Sequence, residues 1–279
     1  MTYIYSRAKL TMKVQSFPSV KNLCLPLLSF AGRNNTGRIS FKAKGTRVSR
    51  NYRLVDFKRF IWDLPALVLR VEYDPNRTSF IALICYANGI LSYVNATEGL
   101  YEGQKLRVTS DSKKFLKLGN TLPMRLFAEG SIVNTVEFLA FHGGVFARSG
   151  GTSVILLKKL LFNQILAKLP SKEEVILDGD CLATYGRVSN VDRKFFSYYK
   201  AGQLANLGVK PKVRGVAKNP VDHPHGGGGG RCLVTPWAKV AKNRTTRNIS
   251  KSAKHIVRSR KLFVRKIFVK KLKRKSKRV

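Results

Sequence analysis

Leu67-Val-Leu-Arg-Val-Glu-Tyr73, Asp74-Pro-Asn76 and Ser79-Phe-Ile-Ala-Leu-Ile-Cys-Tyr86 follow one another almost without a gap. Two apolar, β-branched runs separated by a proline-bearing turn signal predict a pair of antiparallel strands. Ala87-Asn88-Gly89 then offers an Asn-Gly pair suited to a tight primed turn, and Ile90 to Val94 reads as a third strand. Gln104 to Val108 continues this meander. Gly119-Asn120 with Pro123 breaks it, so a domain boundary is expected between about residues 119 and 130.

Beyond that boundary, Ile132 to Leu139, Glu174 to Leu177 and Leu182 to Val188 read as strands. Val154 to Leu169 (VILLKKLLFNQILAKL) fits a helix or two strands, and its periodicity slightly favours the helix. Short strands with frequent turn signals predict an all-β chain of two small barrels in tandem, a type of module often used to hold RNA. Lys194 to Leu207 reads as a short helix closing the second domain. Its Phe195, Phe196, Tyr198 and Tyr199 are expected in the core, because aromatic rings carry large buried area.

Charge divides the chain differently. Its 279 residues hold 53 Lys plus Arg against 15 Asp plus Glu, a formal charge of +38. Residues 1–59 contribute +12, residues 60–209 only +4, and residues 210–279 contribute +22. The balanced centre is able to bury a core; each end lacks counter-charges and needs a polyanionic partner, nucleic acid above all. Such self-repulsion disfavours a freely soluble small-molecule enzyme. Cys24, Cys85, Cys181 and Cys232 form no C-x-x-C pair, so reduced thiols are expected rather than a zinc ribbon or redox motif. No apolar run is long enough to span a membrane.

The segment Val213 to Arg231 carries the most specific chemistry. Gly226 to Gly230 remove every Cβ, so the backbone is free to approach another surface closely, while Pro220 and Pro224 restrict its entry. Arg214, Lys218 and Arg231 surround it with cations suited to a crowded RNA groove. A nucleotide-binding P-loop is excluded, since the glycines are followed by Arg231-Cys232 rather than by Lys and a hydroxyl residue. His223, His225 and Cys232 supply at most three metal ligands with no closing fourth, and no metal or cofactor is expected. Asp222 beside His223 suggests acid/base chemistry, but adjacent residues do not usually face each other and no nucleophile accompanies them.

The N-terminal run interleaves Arg33, Arg38, Lys42, Lys44, Arg47, Arg50, Arg53, Lys58 and Arg59 with Phe41, Tyr52 and Phe57. The cations pair phosphates, and Tyr52 is a candidate for stacking on a base. Beyond Trp237 the chain holds 18 basic residues and no acid, among them Lys242, Arg244, Arg247 and Arg258. Phe263, Val264, Ile267, Phe268 and Leu272 would form a basic amphipathic helix, which in isolation also reads as a membrane-surface segment.

Taken together, Gly32-Arg-Asn-Asn-Thr-Gly-Arg-Ile39, Tyr52-Arg-Leu-Val-Asp-Phe-Lys-Arg59, Glu72-Tyr-Asp-Pro-Asn-Arg77, Gly119-Asn-Thr-Leu-Pro-Met-Arg125, Asn219-Pro-Val-Asp-His-Pro-His-Gly-Gly-Gly228 and Val234-Thr-Pro-Trp237 resemble the universal large-subunit ribosomal protein L-two family. The resemblance runs from about Leu25 to Lys261. Two departures stand out. Gly45-Thr-Arg-Val-Ser-Arg50 occupies the place of a glycine triplet followed by His-Lys, and an acid usual in the glycine run is replaced by glycine.

The resemblance implies an oligonucleotide-binding-type barrel followed by an SH3-like barrel, with basic extensions threading large-subunit rRNA. It turns the Val154 to Leu169 stretch into strands. It implies a basic N-terminal extension over 1–59, barrels over 60–125 and 126–205, and a basic C-terminal extension over 206–279. The implied role is structural rather than enzymatic: a constituent of the large subunit that supports its assembly, its association with the small subunit and its peptidyl-transferase region. Neighbouring ribosomal proteins are further partners. RNA contacts are expected from the basic residues named above and from Tyr52, Asn219, His223, His225, Gly226, Gly227, Gly228 and Trp237. His223 is carried over as an RNA-contacting residue. A Phe, Tyr, Ile and Lys bias, with family-like sequence starting near residue 25 and little room for a long presequence, points to a mitochondrial ribosome rather than a plastid or the bacterial cytoplasm. The competing reading is an RNA-modifying or ribosome-assembly factor on a basic scaffold.

Overall fold

The structure, a computed structural model, describes residues 19–110, 116–228, 233–238, 240 and 255–259. It divides into two compact units. The first comprises Met1–Pro26, Asn51–Phe196 and Ala253–Val279, and the second Leu27–Arg50 with Ser197–Ser252.

In the first unit, β1 (Cys24–Pro26) pairs antiparallel with β2 (Asn51–Arg53). A four-stranded antiparallel sheet follows, built from β3 (Ala66–Glu72), β4 (Ile81–Tyr86), β5 (Leu91–Asn95) and β6 (Lys105–Leu106) in the order β5-β4-β3-β6. The unbroken apolar run of β4 has a direct cause, because both of its faces are covered. Ala82, Ile84 and Tyr86 enter one core with Val68 and Val94, while Ile81 and Leu83 pack with Tyr93 on the other side. A register shift in β3 between Val68 and Arg70 adds the local twist that curls the sheet. The turn after β4 differs from the expected primed type. Gly89 alone has positive φ (82°), its N–H donates to the Tyr86 carbonyl at 2.9 Å, and Asn88 Oδ1 accepts the Ile90 N–H. A three-residue loop with a left-handed glycine is the result.

A seven-stranded sheet follows. Its strands are β7 (Thr121–Pro123), β8 (Ile132–Asn134), β11 (Val154–Lys159), β12 (Gln164–Lys168), β13 (Glu174–Asp178), β14 (Leu182–Tyr185) and β15 (Ile256–Arg258), in the order β15-β13-β12-β11-β8-β14-β7. Between them β9 (Val136–Glu137) and β10 (Gly144–Phe146) form a separate pair. The expected strand Ile132 to Leu139 is therefore split, at Thr135 with φ 48°.

The helical periodicity of Val154 to Leu169 is overturned. The stretch is the β11–β12 hairpin, held by β8 on one side and β13 on the other. Strand alternation turns Val154, Leu156, Ile165 and Ala167 into the core, where they meet Val133, Phe127 and Val175. The short helix is present as α1 (Ala201–Asn206), preceded by a 3-10 turn over Val191–Phe195. The aromatics before it do not form a core. Phe195 and Tyr199 are 75% and 87% exposed, and Phe196 and Tyr198 are also on the surface.

Candidate nucleic-acid interface

The second unit gathers what the sequence keeps far apart. Residues 27–50 hold six basic residues and 197–252 hold eleven, against the single acid Asp222; the other fourteen acids all belong to the first unit. The two stretches are joined by backbone. Lys44 bridges Val209, the Gly45 N–H donates to the Gly208 carbonyl at 3.0 Å, and the Val48 N–H donates to the Asn206 carbonyl at 3.2 Å. Glycine is required on one side of this junction, at Gly208, while the close neighbour of Gly45 is the movable end of a lysine side chain. A Cβ on Gly45 would stand 2.9 Å from Lys210 Cε, and one on Gly208, whose φ is +78°, would stand 3.0 Å from the Gly45 carbonyl oxygen.

Gly32-Arg-Asn-Asn-Thr-Gly-Arg-Ile39 folds into a tight turn closed by the Arg33–Ile39 bridge. Asn34 organises it: its Oδ1 accepts the Thr36 and Arg38 backbone N–H groups and the Thr36 hydroxyl. Gly37, with φ +77°, permits the reversal. Arg33 and Arg38 flank the tip, exposed, as are Lys42 and Lys44. Arg47 and Arg50 are half-buried; Arg47 donates to the Leu27 carbonyl.

The glycine-rich segment is shaped by packing as well as by hydrogen bonds. Asp222 and His223 donate their N–H groups to the Asn219 carbonyl, and Gly226 donates to the His223 carbonyl at 2.8 Å. Gly226 is buried, and a Cβ there would overlap the Lys218 and Asn219 carbonyls; one on Gly215 would overlap the His223 ring. His223 Nδ1 accepts the His225 N–H at 2.9 Å, the two rings lie 4.9 Å apart, and His225 Nε2 meets the Val234 carbonyl at 2.7 Å. Partial desolvation of the ring, then the nearby His225, Lys42 and Lys218, hold the His223 imidazole below its ordinary value. A neutral ring keeps Nδ1 as an acceptor. Asn219, Arg214, Gly227, Gly228 and Trp237 are exposed, and Lys218 is half-buried. Arg231, Lys242, Arg244 and Arg247 lie outside the described residues, as does the amphipathic stretch from Phe263.

On the first unit, buried Asp74 fixes two guanidinium groups, Arg77 at 2.5 Å and Arg53 at 3.4 Å. Arg148 stacks over the Phe57 ring at 4.0 Å and donates to the Gly144 carbonyl. Tyr52, Phe57, Lys58, Phe60, His142 and Arg148 line an open groove of about 520 Å³. Lys58 lies exposed over Phe60. Arg59 departs from its expected role: it is 5% exposed, and burial lowers its pKa against the raising effects of Asp56 and Tyr86. It lines a small pocket on the first barrel with Tyr86 and Leu106. Arg258 is exposed on β15, paired to Glu174 at 3.3 Å.

Two family models match. Residues 20–108 match "Ribosomal Proteins L2, RNA binding N-terminal domain" and residues 117–247 match "Ribosomal Proteins L2, C-terminal domain". The chain belongs to the ribosomal protein L2 family. It is similar to large ribosomal subunit protein uL2 of Rhizobium rhizogenes and of Agrobacterium fabrum, 46% identical to each over 246 residues, covering 86% of this chain and 88% of each relative. The protein of Cereibacter sphaeroides with that name is 45% identical over 247 residues, covering 86% of this chain and 87% of the relative. Membership gives the two curled sheets their names, an oligonucleotide-binding-type barrel followed by an SH3-like barrel. It also makes this family member a structural ribosomal protein and not an enzyme. No helix among the described residues is long and apolar enough to cross a membrane, and no group of three or more metal-ligating side chains is found among them.

Sequence reasoning missed Arg77 and Arg148. They sit in the charge-balanced centre, where no run of cations marks them. Their one signal, conjunction with Phe57, depends on folding.

Proposed function

We propose that the chain is a structural constituent of the large ribosomal subunit that binds its rRNA chiefly through the second unit. The observation that carries this reading is the union of two cationic segments around one acid, a surface that needs a polyanion. Arg33, Arg38, Lys42 and Lys44 would pair phosphates from the tight turn, with Arg47, Arg50, Arg214 and Lys218 behind them. Asn219, His223, His225 and Gly226 to Gly228 would enter a narrow RNA groove near the peptidyl-transferase region, and Arg231 and Trp237 would contact RNA as well. His223 there contacts and supports RNA. Tyr52 and Lys58, in the groove of the first unit, with Arg53 on its β2 and Arg258 on its β15, would make further RNA contacts, as would Lys242, Arg244 and Arg247. Neighbouring ribosomal proteins and the small subunit are the further partners. The division near residue 125 between barrels, with basic segments over 1–59 and 206–279, fits this use. A mitochondrial ribosome is supported by the residue bias, while the relatives named above are bacterial; cell fractionation distinguishes the two.

Each neutralised phosphate releases counterions, so affinity for large-subunit rRNA falls steeply with salt. Replacing Arg33 and Arg38 together by Ala lowers the slope of log K against log salt by roughly 1.5, at about 0.7–0.9 per contact. An unchanged slope overturns the placement of the turn on RNA.

A further inference from the structure

The β11–β12 hairpin ends in Leu160-Leu161-Phe162-Asn163, and its tip points an apolar surface at solvent. Leu161 is 81% exposed and Phe162 is 92% exposed, the highest value for a large apolar side chain among the described residues. Phe162 and Asn163 both have φ of 56°, the left-handed region that Asn tolerates and Phe does not favour. The tip is nonetheless held firmly. The Leu160 N–H donates to the Gln164 carbonyl at 2.7 Å, the Gly179 N–H to the Asn163 carbonyl at 2.6 Å, and Asn163 Nδ2 to Asp178 Oδ1 at 3.3 Å.

Charge around the tip follows the balanced centre of the chain and not its cationic ends. The charged residues that flank the tip in the hairpin and at its base, Lys158, Lys159 and Arg125 with Glu129, Asp178 and Asp180, sum to zero. Arg125 pairs with Asp180 at 3.1 Å, and Lys159 donates its ammonium to the Arg125 carbonyl and its N–H to Glu129. Three carboxylates repel a phosphodiester backbone, and two of the three cations are already engaged within the protein. A neutral collar with an apolar centre is the anatomy of a protein–protein contact. A rigid protrusion also loses little entropy on docking.

We propose that Leu161 and Phe162 form a plug that seats in an apolar pocket of a neighbouring protein, and not in RNA. The proposal rests on the ribosomal reading only for where that neighbour is found. The pocket it requires takes one aromatic ring and one aliphatic side chain, with an uncharged or charge-balanced rim.

The test uses native large subunits carrying the full-length chain with Phe162→p-benzoylphenylalanine. Irradiation is expected to give one protein adduct, mapped to apolar residues of one neighbour; an adduct on nucleotides, or none, overturns the proposal. A Leu161→Asp, Phe162→Asp chain is expected to stay with the subunit in a salt wash while that neighbour's retention falls by roughly 30-fold, the effect of one interface hot spot. Unchanged retention overturns the plug, and so does selective loss of the variant chain itself, which would mean that the tip is anchored on RNA. Absence of the unmodified chain from subunits would instead defeat the ribosomal reading. Phe162→Gly separates docking from folding. Glycine accepts the left-handed turn, so the free chain's unfolding midpoint is expected not to fall while the neighbour is still lost. Retention of the neighbour by that variant counts against the plug.

Discussion

Glu137 shows how single residues set the core of the second barrel. Its buried carboxylate accepts the N–H groups of Gly143, Leu182 and Phe141 at 2.8, 2.9 and 3.1 Å, so one side chain closes a loop and joins two strands. Glu137→Ala leaves three donors without partners and is expected to lower stability by on the order of 3 kcal/mol, read from urea unfolding of the full chain. Cys181 lies close by, its thiol pushed up to about 12 by burial and then by Glu137 and Asp178. The native thiol therefore stays protonated at pH 8 and resists iodoacetamide, whereas unfolding exposes it to alkylation. The sign of the linkage follows. Above the unfolded thiol's pKa the denatured chain releases a proton that the folded chain retains, so this residue's contribution to stability falls as pH rises from about 9 towards 12. None of this was legible in the sequence. A lone Glu in Val136-Glu-Phe138 reads as an outward-facing strand residue until the split at Thr135 turns it inward.

At the scale of elements, legibility followed the chemistry available nearby. The first meander could be read because its turn residues lie between runs too short and too β-branched for helices. Periodicity alone leaves the β11–β12 hairpin open between helix and strands, since Leu160-Leu161-Phe162 fills its turn with residues that elsewhere continue a helix, and the family resemblance is what points to strands. Strand β15 was missed: its three residues are fixed by the edge of β13, with Val175 opposite Ile256, and not by any local signal. The junction of 43–48 with 206–210 belongs here too. Gly45 and Gly208 mark it, but an isolated glycine in a basic arm does not announce its partner. Gly208→Val places a branched side chain at φ +78° against the Gly45 carbonyl and Arg47. The expected outcome is faster amide exchange at Gly45 and Val48, with the β3–β5 amides unchanged; equal protection in wild type and variant would show that the junction does not depend on close backbone approach.

For the whole molecule, charge partition decides which part stands alone. The first unit contains both cores and fourteen of the fifteen acids; the second has one acid and a short helix with no buried residue. Stripped of nucleic acid, the chain is expected to be cut by protease first within 27–50 and 197–252, leaving 51–196 protected, and added large-subunit rRNA is expected to restore resistance to both stretches. Equal resistance without RNA would mean that the second unit is stabilised by its own contacts. The sign pattern of the charges announced a cationic part and a balanced part, while placing the two cationic stretches at opposite ends.

Their union has a consequence for timing. Residues 43–48 are synthesised well before 206–210, and at about 5–20 residues per second the earlier strand waits roughly ten to thirty seconds for its mate. Both barrels are threaded out during that interval. The cationic second unit is thus completed last, and a nascent chain severed before Gly208 carries a finished body with an unfastened arm.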